Sequence, residues 1–289
     1  MPAEWNEGSC YVGVDLSAPK MLAGAVTPEG KLLGKVKFSA KPDRGPKVLL
    51  ERVARCIRDA VDECDFTMPQ VRAIGVAVPG VVDARTGLVL SAPLLGLEME
   101  PFQRELERHV QKPVVLENEC NAAAWAVYTL GLQSQPTRLA VLFLERPGVV
   151  TGIIKGQFVT GLDKSISAAF PALQTNPWEQ GTQNLPKKLR KAMQAGGDDA
   201  RQTVAEAARQ AGELAPQIIN LLQPEVLALD GTAIYELKEW LLPAILQEVR
   251  NHVPSPLREQ AQIKVCHLGK EAGLIGAALL AASGARMVA

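Results

Sequence analysis

The chain runs through one order of elements twice, and this internal repeat limits its fold more than any other feature. Residues 10–14, 22–26 and 31–38 read as three short strands, broken at residues 15–20 and at the Pro28-Glu29-Gly30 turn. Pro46 opens a predicted helix reaching about Cys64, with Leu49, Val53, Ile57, Ala60 and Val61 on one face. Residues 71–78 follow as a buried strand, ended by Pro79-Gly80. Roughly 130 residues later the order β-β-β-α-β returns, with strands at 138–144, 149–154 and 157–160, a helix from about 200 to 222, and a strand at 225–229.

Between the repeats, residues 101–110 read as a helix, 113–116 as a strand and 121–130 as a second helix. After them come a helix at 234–250, a strand at 262–266 and a small-residue helix at 271–282. Alternating strands and helices argue a mixed α/β fold. The repeat argues two similar lobes, residues 1–130 and 131–289, with the last helix either in the second lobe or packing back on the first. The competing architecture is one large doubly wound sheet. Residues 162–199 fit neither half: the segment is polar, carries Pro171, Pro177 and Pro186, and lacks sustained periodicity, which reads as a long loop, functional or disordered.

Composition narrows the class. With 31 Lys+Arg against 31 Asp+Glu, the net charge is zero, so nothing electrostatic points to nucleic acid or an anionic membrane as partner. No apolar run has spanning length, and residues 1–8 have neither the basic start nor the apolar centre of a secretion signal. The five cysteines, Cys10, Cys56, Cys64, Cys120 and Cys266, include no CxxC pair and sit mostly in apolar segments, as reduced thiols do. The expected location is the cytoplasm.

Three segments carry chemistry. The first strand ends in Asp15-Leu16-Ser17-Ala18-Pro19-Lys20, where an Asp before a tight turn can hold a metal-bound phosphate. The second segment is Gly75 to Gly80. The third is Glu117-Asn118-Glu119-Cys120-Asn121, which places two carboxylates and two amides at a helix start, suited to ligand hydroxyls and a general base. These segments resemble the ROK family (repressors, open reading frames and sugar kinases). Its first strand ends in Asp-x-Gly-Gly-Thr-Lys, and it carries a Gly-x-x-x-Pro-Gly segment and a Glu-Asn-Asp-Ala-Asn-Ala-Ala-Ala segment. Gly152 to Gly156, residues 218–226 and residues 268–278 resemble later family segments in the same order.

The resemblance implies a two-lobed actin-like, ribonuclease H-like ATPase fold with the duplicated β-β-β-α-β unit, and commonly a homodimer. It implies ATP with Mg²⁺ held through Asp15, Lys20, Gly148 and Gly231. A sugar would contact Gly80, Glu117 and Asn118, and Glu119 would be the catalytic base. The chain departs from the pattern at several of these places. Ser17, Ala18 and Pro19 replace the glycines and threonine of the first phosphate hairpin, and Pro19 removes an N–H donor. The second hairpin reads Glu145-Arg146-Pro147-Gly148, putting a carboxylate beside phosphate. Glu119 is one methylene longer than the family's catalytic Asp. Residues 161–167 lack the family's sugar-binding Glu and His, and no cysteine lies between Cys120 and Cys266 to build its zinc site, so no zinc is expected.

Two functions follow from these residues. One is a catalytically impaired sugar-kinase homologue (a pseudokinase) that binds a ligand or plays a structural part. The other is an active ATP-dependent hexose or N-acetylhexosamine kinase, glucokinase-like, with Glu119 as general base. A DNA-binding repressor is not expected, because only about nine residues precede the first strand, too few for a winged helix. His109, His252 and His267 read as ordinary histidines, and the basic run from Lys187 to Lys191 reads as a solvated face.

Overall fold

The computed structural model describes residues 8–17, 19–132, 134–144, 149–158 and 185–284. The chain divides into two compact units, Met1–Leu130 with Glu271–Ala289, and Gly131–Lys270.

In the first unit, β1 (Cys10–Asp15), β2 (Lys20–Val26) and β3 (Leu32–Ser39) form an antiparallel meander, and β4 (Val71–Val78) and β8 (Val114–Asn118) add parallel to β1. The sheet order is β3-β2-β1-β4-β8. Helix α1 (Pro46–Asp62) starts at Pro46, whose missing N–H costs nothing in a first turn. Its apolar residues recur at three and four positions, so Leu49, Val53, Ala54, Ile57, Ala60 and Val61 are buried together in the core of this sheet. Helix α2 (Phe102–Val110) buries Phe102, Leu106 and Val110 in the same core.

A second, three-stranded sheet of β5 (Val81–Asp83), β6 (Leu88–Ala92) and β7 (Leu97–Glu100) lies between β4 and α2 in the chain. Three to five residues are too few to show a period, so the sequence pattern does not reveal these strands. Helix α3 (Glu119–Ala126) follows β8 and runs into a π turn at Val127–Gly131.

The second unit repeats the first topology. Its strands are β9 (Arg138–Phe143), β10 (Val149–Ile154), β11 (Gln157–Phe158), β12 (Val226–Asp230) and β13 (Gln262–Val265), in the order β11-β10-β9-β12-β13. Again the first three are antiparallel neighbours and the last two add in parallel. The single doubly wound sheet is therefore excluded, and the duplicated unit stands.

Helices α5 (Asp198–Leu222) and α6 (Thr232–His252) pack together beside this sheet. A short helix α7 (Ser255–Gln260) leads into β13.

Part of the segment read as an aperiodic loop is helical: α4 spans Leu185–Gln194, and α5 begins at Asp198 rather than near 200. The basic run keeps Lys187, Lys188 and Lys191 exposed, as a solvated face does, but it lies on an amphipathic helix. Leu189 is buried in the core of this unit, while Arg190 (2.8 Å) and Lys187 (4.0 Å) pair with the buried carboxylate of Glu236 on α6. Lysine and arginine density masked an amphipathic helix whose cations answer a carboxylate 46 residues away in sequence.

Helix α8 (Ala272–Ser283) returns to the first unit. It is buried on nearly all sides, as an apolar helix without a polar stripe must be. Its backbone touches backbone: a Cβ at Gly13 of β1 would overlap the Leu274 carbonyl, and one at Gly75 of β4 would overlap that of Ala277. On the helix itself, a Cβ at Gly276 would overlap the Ala122 carbonyl of α3. The ion pair of Lys35 with Glu271 ties β3 to the residue before α8.

Two stability predictions follow. Gly276→Ala forces α8 and α3 apart and costs about 1–3 kcal/mol, seen as a lower denaturation midpoint; an unchanged midpoint would contradict the close contact. Arg190→Ala leaves Glu236 with only the longer Lys187 contact and costs about 1–2 kcal/mol, less than a fully buried pair because the Arg190 side chain is 42% exposed. A midpoint unmoved by Arg190→Ala would mean that this pair does not hold α4.

Candidate functional site

The parallel strands β1, β4 and β8 end side by side, with Asp15 beside Ala77 and Val78 beside Asn118. Two strand spacings separate Asp15 from Asn118, about 10 Å, along the carboxyl edge where open α/β sheets bind ligands. The sequence-predicted residues of the first unit gather here.

Asn118 caps α3. Its Oδ1 accepts the N–H groups of Cys120 (2.8 Å) and Asn121 (3.2 Å), and its Nδ2 donates to the Gly80 carbonyl at 2.8 Å. Three of its four bonds are thus taken, and one N–H remains to be offered. Glu117 is buried, and its Oε1 accepts the Asn118 N–H (2.8 Å) and Asn121 Nδ2 (3.0 Å). Glu117 therefore orders the turn into α3. Gly80 sits at φ 151°, and a Cβ there would collide with Ser91 and Ala92 of β6. Glu119 is half-buried in the first turn of α3, where the helix dipole favours a carboxylate.

Asp15 is 6% exposed. Its Oδ1 accepts the Ser17 hydroxyl at 2.6 Å and the Ser17 N–H at 3.1 Å. Its Oδ2 lies against the first turn of α8, 3.0 Å from where a Cβ on Gly273 would stand. Lys20 opens β2 across from Ser39 and is exposed. Ser17 as a partner for Asp15 was missed in the sequence, although a serine two residues after an aspartate is a known turn pattern. Asn121 was one of the two amides expected at this helix start, while Gly273 gave no separate signal.

In the second unit, β12 ends at the buried Asp230, and Gly231 (φ 119°) caps α6. The Gly231 carbonyl accepts the Tyr235 N–H at 3.3 Å, and the Tyr235 ring stacks on His267 with centroids 4.1 Å apart. Gly148, the rest of the 145–148 hairpin, residues 161–167 and the stretch expected to lack a zinc loop up to residue 184 lie outside the described residues. Among the described residues no group of three or more His, Cys, Asp or Glu side chains could hold a metal ion. Magnesium–ATP, which the resemblance implies, needs an uncommitted Asp15 oxygen. As folded, Oδ1 accepts both hydrogen bonds from Ser17, and Oδ2, beside the first turn of α8, is the oxygen left to face a metal-bound phosphate.

The chain matches the ROK family over residues 11–165 and 162–283 and belongs to it. It is 26% identical over 314 aligned positions to a glucokinase of Streptomyces coelicolor, covering 93% of this chain and 96% of that protein. The solved ROK glucokinase of Streptomyces griseus, in complex with glucose and AMPPNP, superposes with a TM-score of 0.75 at 24% identity, over 96% of this chain and all of that one. A ROK transcriptional regulator, a homologue of the E. coli MLC protein, superposes with a TM-score of 0.78 at 17% identity, over 95% of this chain and 78% of that one. The fold is thus the actin-like one of ROK sugar kinases. No helix among the described residues is long and apolar enough to cross a membrane.

Three buried thiols are held in their protonated form. Burial, aided by Asp59, pushes Cys56 up to about 12 from an ordinary 9.0. Burial likewise takes Cys10 to about 11, helped by Cys64, and Cys266 to about 11, helped by Asp230. Above pH 9 the unfolded chain therefore loses thiol protons that the folded chain keeps, so stability falls as pH rises from 9 toward 11–12. Urea midpoints measured across that window should fall less steeply for Cys56→Ala than for wild type; equal slopes would contradict the assignment.

Proposed function

We propose that this protein is a sugar-binding ROK homologue in which phosphoryl transfer from ATP is impaired. The observation that carries the reading is the pairing of an ordered Gly80–Asn118–Glu117–Asn121 network with an Asp15 carboxylate already committed to Ser17. The network presents one Asn118 N–H beside Glu119, as a sugar hydroxyl requires. The glucose-bound Streptomyces griseus relative supports a hexose as ligand class. Glu117 acts as a positioning residue, and Gly80 supplies the carbonyl that aims Asn118. Phosphoryl transfer depends almost wholly on positioning and electrostatics, so a committed Asp15, a proline in the first hairpin and a lengthened base together suppress it.

The experiment is a coupled ADP-release assay with hexoses and N-acetylhexosamines, run beside calorimetry with the same sugars. The expected result is sugar binding that Asn118→Ala abolishes, with ADP release no faster in wild type than in Glu119→Gln. Turnover in wild type that Glu119→Gln removes would instead establish an active kinase with Glu119 as its base. No binding of any of these sugars would overturn the reading.

A further inference from the structure

The Ser17 hydroxyl has a place in this site beyond closing a turn. The turn is fixed on both sides: the Leu16 N–H donates to the Ala77 carbonyl at 3.0 Å, and the Pro19 carbonyl accepts the Ala40 N–H at 2.8 Å. Ser17 is thereby held over the end of β1, and its hydroxyl reaches Asp15 Oδ1 at 2.6 Å, within the short range of charge-assisted O–H···O⁻ bonds. The carboxylate it binds is buried, so little water competes for that oxygen. At this position the ROK pattern has a glycine, which could offer Asp15 only its backbone N–H.

We propose that Ser17 is an internal ligand for Asp15: its hydroxyl and N–H fill Oδ1, leave a metal-bound nucleotide phosphate only Oδ2 against α8, and so weaken nucleotide binding at the site. This rests on the reading of the β1 end as the phosphate side of a ROK site. It makes one residue, rather than general decay of the motif, the element that blocks nucleotide. The block is then reversible, because a ligand must displace the two Ser17 hydrogen bonds and not rebuild a strand. Pro19 shapes the turn but contributes its carbonyl to Ala40, away from Asp15.

The test is calorimetric titration of the full chain with Mg²⁺–AMPPNP for wild type, Ser17→Gly, Ser17→Ala and Ser17→Thr. Loss of a charge-assisted hydrogen bond competitor corresponds to about a 10-fold or greater gain in affinity. Ser17→Gly and Ser17→Ala should therefore bind nucleotide at least about 10-fold more tightly than wild type, Ser17→Thr should behave as wild type, and adding Asp15→Asn to Ser17→Ala should erase the gain. Should one variant not fold, the other carries the same comparison. Equal affinity across folded variants, or no nucleotide binding by any of them while sugar still binds, would overturn the proposal. Loss of both sugar and nucleotide binding in wild type and folded variants alike would overturn the ROK-site reading beneath it, and the proposal with it.

Discussion

Helix α8 lies on the first sheet with no side chains between them where Gly13 and Gly75 meet the carbonyls of Leu274 and Ala277, and Gly276 brings it equally close to α3. Close packing of this kind leaves no slack: any added methyl displaces backbone, not a side-chain tip. The contact has a consequence at the site. It sets the first turn of α8 over the end of β1, where Gly273 lies against Asp15, and sets α3 so that Asn118 and Glu119 begin a helix at the end of β8. Two helix starts and three strand ends are thereby brought to one edge, and partial positive charge from each helix faces the carboxylates gathered there.

At that edge the polar groups are already committed. Asn118 spends three of its four bonds on α3 and Gly80, Glu117 orders Asn118 and Asn121, and Asp15 is closed by Ser17. A buried carboxylate needs such partners, since burying a charge without them costs several kcal/mol. The economy is different on the two sides. On the Asn118 side the bonds hold a donor in place for a ligand, while on the Asp15 side they fill Oδ1 and leave Oδ2 as the acceptor.

The fold was legible because its signal is long-range and redundant. Two β-β-β-α-β runs give two sheets of the same strand order, and amphipathic α1 declares its buried face through Leu49, Val53 and Ile57. Short elements were not legible: β5, β6 and β7 lack enough residues for a period, and the solvated cations of α4 gave no sign that Lys187 and Arg190 also pair with Glu236. The site was legible as residue types. Asp15, Gly80, Glu117, Asn118 and Glu119 do lie at strand ends and a helix start along one edge. Which of their atoms are already bonded was not, because Ser17 on Asp15 and Gly273 beneath it are matters of ångström-scale placement that a motif cannot carry.

The account turns on α8 being part of the first unit's core and not an appended helix. Native-state hydrogen exchange on the full chain tests this directly, by comparing amides of residues 274–278 with those of residues 12–14 and 74–76 as denaturant is raised. If the backbone contact holds, the three sets share one opening and their exchange curves merge at the free energy of that unit's unfolding. Exchange in α8 about 100-fold or more faster than in β1 and β4 at every denaturant concentration would contradict it.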